Sequence, residues 1–204
     1  MTFVLGAVVV AGGIFFGRLI AGSIRGARAR RAASRRPVGG EPAAERADPL
    51  AGFPCHLGDV VVRRGERDEA WLAGALVLRE DRPVAVLFVA PEAREDRAVF
   101  VRDGAMTWLA PFAGTPAMAF GEPPLSIEHE GALFERTRRL PVHVERLGTG
   151  APAVGERAVV GEYSGLGAER VVVIAGTQAV VAWRGVALSE DEYDILPGGN
   201  ATLE

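Results

Sequence analysis

The sequence predicts a mostly β fold: an antiparallel, meander or barrel-like domain held behind one N-terminal transmembrane helix and a flexible linker. Three observations predict it. After residue 54, short apolar runs alternate with turn residues about every ten positions, and no run keeps a helical period for ten residues. From Thr2 to Ile24 the chain carries a single charge, Arg18, over a length that crosses a hydrocarbon core of about 30 Å as a helix. Between these parts, "PVGGEPAAERADPLAGFP" (37–54) shows no apolar periodicity and reads as a tether.

Taken in chain order, residues 1–25 are the expected transmembrane helix and 26–52 an arginine-rich juxtamembrane segment and linker. Two β modules are expected at 53–112 and 125–199, with 113–124 as their junction and 200–204 as a tail. Seven arginines follow or close the apolar run (Arg18, Arg25, Arg28, Arg30, Arg31, Arg35 and Arg36) and no charge precedes it. Cationic flanks stay on the cytoplasmic side, so a single-pass protein of the inner (cytoplasmic) membrane is expected, with its N-terminus outside and its C-terminal domain in the cytoplasm. A cleaved signal peptide would carry its positive charge ahead of the apolar run instead. Gly13, Gly17 and Ala21 recur every four residues and put three small side chains on one helix face. A second helix can approach closely there, which would make a homodimer through the span; a segment this rich in glycine and alanine also gives that spacing without function.

The strand expectations are "LGDVVVR", "AWLAGALVLR", "PVAVLFVA", "RAVFVR" and "TWLAP" in the first module. "LFERTRR", "LPVHVERL", "RAVVGEYS", "ERVVVIAG", "AVVAWRGVAL" and "EYDIL" make up the second. Asp103-Gly104 is a hairpin signal, since glycine supplies the positive φ of a tight turn. Both sets run strand, charged turn, apolar strand, turn, strand, which suggests related modules.

Composition removes several function classes. The chain has no lysine, which excludes Schiff-base chemistry and a P-loop lysine. This arginine- and alanine-rich usage fits a GC-rich bacterial genome. One cysteine, Cys55, allows neither an internal disulfide nor a zinc site built on cysteine pairs. Residues 1–36 hold seven arginines and no acid, so the net charge of −3 leaves −10 on residues 37–204. A domain so acidic is repelled by nucleic acid, leaving the lipid bilayer and an unidentified protein as the expected partners.

No motif after residue 54 assembles a catalytic set. Cys55 and His56 are neighbours in an extended segment, so their side chains diverge. In "PLSIEHEG", alternation puts Leu125, Ile127 and His129 on one face; in "LPVHVERL", His143 and Glu145 lie opposite Val142 and Val144. "GTGAPAVGE" (148–156) lacks the spacing of a phosphate loop and opens no helix. Ser164 has Glu162 where a nucleophile elbow needs glycine. "ERTRR" (135–139) reads as an anion patch or as alternation on an exposed strand, and "SEDEYD" (189–194) as a surface loop. Trp71, Trp108 and Trp183 read as core or edge packing.

"CHLGDVVVRRGERDEAWLAGALVL", followed by an apolar strand and "WLAP", resembles the opening of the bacterial family called domain of unknown function 4178. Leu57, Gly58, Asp59 and Val60, then Trp108 and Leu109, are the matching positions. The resemblance covers about 55 residues and implies a β-rich module; it brings no catalytic residue with it. The expectation is therefore a membrane-anchored interaction, adaptor or sensing module without catalysis or cofactor. The alternative is a membrane-anchored enzyme or metal-binding protein that uses His129, His143 and nearby acids.

Overall fold

The computed structural model describes residues 48–91, 96–112 and 122–198. Twelve strands follow in order among them: β1 (Val60–Arg63), β2 (Glu69–Trp71), β3 (Gly74–Arg79), β4 (Pro83–Ala90), β5 (Arg97–Arg102), β6 (Ala105–Pro111), β7 (Ser126–His129), β8 (Ala132–Gly148), β9 (Arg157–Ser164), β10 (Glu169–Gly176), β11 (Val180–Leu188) and β12 (Tyr193–Leu196). Valine, isoleucine and phenylalanine fill them because branched and aromatic side chains pack on a pleated surface.

Eight of the strands close into an antiparallel barrel in the order β3-β4-β5-β6-β11-β10-β9-β8, with β8 returning to β3. β3–β6 and β8–β11 are two four-strand meanders joined edge to edge, β6 to β11 and β3 to β8. The register climbs steeply around the wall. Starting at Gly148, the paired residues Gly74, Val89, Ala98, Leu109, Gly185, Arg170 and Ser164 lead back to β8 at Glu135, thirteen positions from the start with one bulge between. That stagger explains the length of β8: its first part pairs with β9 and its last part with β3. "LFERTRR" and "LPVHVERL", expected as two strands, are therefore one. "AWLAGALVLR", expected as one, breaks at Leu72–Ala73, because β2 belongs to a different sheet from β3.

The two-residue period sorts the apolar side chains into three clusters. Leu76, Leu87, Phe100, Leu109, Val160 and Ile174 belong to a cluster fed by all eight barrel strands, which identifies it as the lumen. A lumen so filled is a packed core, each fully buried aliphatic side chain contributing about 1.5–3 kcal/mol. Outside the first meander, Val77, Phe88, Val99 and Trp108 are covered by a small sheet of order β12-β1-β2 and by Leu50 and Cys55. Outside the second, Phe134, Tyr163, Val171 and Val173 are covered by β7 and Phe112.

The "LGD" stretch ahead of β1 is a backbone junction. Gly58 takes a φ of +93° and packs against the backbone of Gly198. Asp59 is buried and accepts hydrogen bonds from the amides of His56 (2.7 Å) and Gly198 (2.9 Å), pinning the sheet at a point where segments 139 residues apart meet. This turn is why β1 starts at Val60 and not at Leu57.

Candidate functional site: the outward face of the small sheet

Among the described residues no helix is long and apolar enough to cross a membrane. Arg18, Arg25, Arg28, Arg30, Arg31, Arg35 and Arg36, and the helix-contact positions Gly13, Gly17 and Ala21, all lie outside the described residues.

The histidines do not come together. His129 ends β7 beside Ala132, at the start of β8, whereas His143 pairs with Arg79 and Arg157, eleven residues further along β8 and about 35 Å of extended chain away. His129 stacks on Phe112 with ring centroids 4.4 Å apart, and its Nε2 lies 3.6 Å from Glu130. Glu130 also pairs with Arg184, which reaches Glu169 and sits over the Phe134 ring. His56 is half exposed, with Nδ1 3.9 Å from an oxygen of Asp59. Among the described residues no three His, Cys, Asp or Glu side chains gather closely enough to hold a metal ion. Cys55 is fully buried, and desolvation, aided by nearby Asp59, pushes its thiol up to about 12. Almost no thiolate forms there at neutral pH.

The other motifs resolve into structure. Ser164 ends β9, paired with Arg170. The 148–156 loop sends Ala151 and Val154 into the lumen cluster, closing one barrel end. The wall strands β5 and β9 stand on opposite sides of the barrel, and Arg102 of β5 reaches across to Glu162 of β9. Glu162 shares the inward face of β9 with Ala158 and Val160. Desolvation raises its pKa, and the attraction of Arg102 and Arg138 only partly opposes this. Of the "ERTRR" run, Arg136 donates to the Pro123 carbonyl and Thr137 to that of Glu162. In "SEDEYD", Glu192 accepts from the amide and hydroxyl of Ser189 at 2.7 Å each, while Asp194 holds Arg64 through two hydrogen bonds. Leu125 does not share the buried face of Ile127: it is 76% exposed, because regular pairing of β7 begins only at Ser126.

Concavities of the described surface include the following pair. A cleft of about 320 Å³ at one barrel end is lined by Val89, Pro111, Phe112 and Trp183, with Asp96 and Arg97 beside them. A shallower groove of about 520 Å³ runs past Arg79, His143 and Arg157.

The most distinctive surface is the outer face of the small sheet. Val61, Ala70 and Ile195 point into the barrel side, so Val60, Trp71 and Leu196 point away, and the register places them side by side across all three strands. Trp71 is 46% and Leu196 52% exposed, although tryptophan at this position reads as packing in the sequence. One row on, Val62 stands between Glu69 and Asp194. An apolar centre with an aromatic residue and a charged border is the composition of a protein interface. The signal was present in the sequence: "EAW" and "DIL" repeat one pattern of acid, inward residue, outward apolar residue. What the sequence lacked was the knowledge that β2 and β12 flank one strand.

Comparisons with models of known families, with curated proteins and with solved structures find no match.

Proposed function

We propose that the chain is a single-pass protein of the cytoplasmic membrane whose barrel lies in the cytoplasm and acts as a non-catalytic recognition module. The apolar run Thr2–Ile24 and the arginines after it support the anchor. One observation carries the recognition reading: the in-register row Trp71–Val60–Leu196 presents apolar surface outward from a sheet whose opposite face is already buried. The equivalent joints of the two meanders, β6 to β11 and β3 to β8, support reading them as related modules, and the "LGDV" and "WL" positions support a kinship with the domain of unknown function 4178 family.

Photo-crosslinking in intact cells tests the function. A photoreactive residue replacing Trp71 in the full chain should give a discrete protein adduct, and one replacing Leu166, which is 85% exposed on the turn between β9 and β10, should not. Equal labelling from both positions, or none from position 71, would remove the proposal. Topology is tested by fusions at residue 204: a cytoplasmic fluorescent protein should be bright, and alkaline phosphatase inactive.

A further inference from the structure

The barrel wall parts at one end. Strand β6 pairs with β11 from Met106–Leu188 to Pro111–Trp183, and the Phe112 amide adds one bond to the Ala182 carbonyl. Among the described residues β11 then runs on to Val180 paired with β10 alone. The cleft of about 320 Å³ lies at this parting: Pro111 and Phe112 line it from one strand, Val180 and Trp183 from the other. Mouths of β-barrels are common settings for small-molecule sites, which combine volumes of about 300–1,000 Å³ with apolar walls and a few polar groups.

Trp183 supplies the polar group. It is 7% exposed and packs in the lumen cluster, yet its indole N–H donates to no acceptor among the described residues. A buried indole N–H ordinarily finds a partner. No polar side-chain atom among the described residues is both sealed from solvent and unpartnered, so this N–H reaches an opening, and the cleft that Trp183 lines supplies one. Charge at the rim decides what kind of acceptor fits. Arg97 lines the cleft, but its Nε donates to Asp68 at 3.2 Å, and Asp96 adds a second carboxylate. Two acids around one arginine disfavour an anion, and an ammonium group has no lone pair to offer the indole.

We infer that this cleft binds a small uncharged molecule, an apolar body of about one ring carrying a carbonyl or ether oxygen that accepts from the Trp183 indole N–H. The valine, proline and aromatic walls take up its apolar surface, and the single donor sets its orientation. The cleft shares no residue with the outward face of the small sheet, so neither reading depends on the other.

The test uses the full-length chain in detergent with isotope-labelled tryptophan, whose three indole N–H signals are read separately by NMR, and probes held at equal free concentration by dialysis. Acetophenone should move the Trp183 signal downfield in a saturable way and leave those of Trp71 and Trp108 in place. Isopropylbenzene has nearly the same shape without the oxygen and should bind about tenfold more weakly, the worth of one hydrogen bond. Benzoate, which adds a charge, should bind at least as weakly. Trp183→Phe keeps a ring and removes the donor, so acetophenone binding measured by dialysis should fall about tenfold. Val180→Trp keeps the indole of Trp183, fills the cleft from its rim and should abolish the saturable shift. Equal binding of isopropylbenzene or benzoate, a shift shared by all three tryptophans or absent from Trp183, or undiminished binding in either variant would overturn the inference.

Discussion

The two meanders of the barrel wear different coats, and the difference locates the free surface. The second meander is covered economically. Strand β7 folds back along β8, and the segment before it crosses Gly161, where Pro123 and the Tyr163 ring leave no room for a Cβ. That crossing is secured by neutral or one-sided contacts: the Tyr163 hydroxyl donates to the Pro124 carbonyl at 2.9 Å and Arg136 to that of Pro123. The first meander is covered by a whole sheet, built from two stretches far apart in the chain, paired along β1 and β12 and pinned at one end by the carboxylate of Asp59. A hairpin coat spends its apolar residues inward. A sheet coat has a second face, and here that face holds Trp71, Val60 and Leu196.

The largest effect should come from the Asp59 pin, against which the Tyr163 hydroxyl is the comparison. Asp59→Ala takes the acceptor away from the amides of His56 and Gly198, two part-buried hydrogen bonds, at a cost of about 3 kcal/mol if each bond to the carboxylate contributes about 1.5. Tyr163→Phe removes one hydroxyl bond while keeping the ring in its cluster, and should cost about 1 kcal/mol. Urea unfolding of both variants measures the contrast. Equal losses would mean that the coats are secured alike and that the junction at Asp59 has no special part in holding the small sheet.

Alkali should loosen the first coat before the second. Burial raises Cys55 from 9.0 to about 12 and Tyr163 from 10.0 to about 12. In each case the unfolded chain releases its proton at a lower pH than the folded chain. Stability is therefore whole below the unfolded value, falls as pH rises, and stops falling above the folded value. For Cys55 the window is pH 9 to about 12, and at a pH of about 10.5 the loss is about 2 kcal/mol; Tyr163 has only begun to contribute there. Denaturation curves of the parent should show stability declining between pH 9 and 10, and Cys55→Ala should flatten that decline. A decline that survives the substitution unchanged would assign it to other groups.

Most of the fold was legible in the alternation. Strands such as "PVAVLFVA", "RAVFVR" and "ERVVVIAG" occupy the expected spans because their two-residue period and turn residues are local properties. Asp103-Gly104 forms the expected two-residue turn, with φ of 51° and 79°. Closure was not legible, because the joints of β3 with β8 and β6 with β11 are set by shear around the whole wall. Glu162 had a readable signal, since it keeps the inward parity of Ala158 and Val160, but its partner Arg102 comes from the opposite side of the barrel. Trp71 read as core or edge packing, and it stands half exposed on the edge strand β2: parity says that Ala70 and Trp71 face opposite ways, and only the docking of β1 on the barrel says which way is in.

The smallest expected effect is the one that most sharpens the contrast between the faces. Leu196→Ser exchanges an apolar side chain that is already half in water, so it should change unfolding free energy by less than about 0.5 kcal/mol. Its neighbour Ile195 belongs to the cluster beneath the sheet, and Ile195→Ser removes packing against Val61 and the barrel and should cost about 2 kcal/mol or more. Adjacent residues of similar size in one strand thus separate by their face alone. If Leu196→Ser destabilises as much as Ile195→Ser, the row Trp71–Val60–Leu196 is holding the fold together, and it is not a surface kept free for recognition.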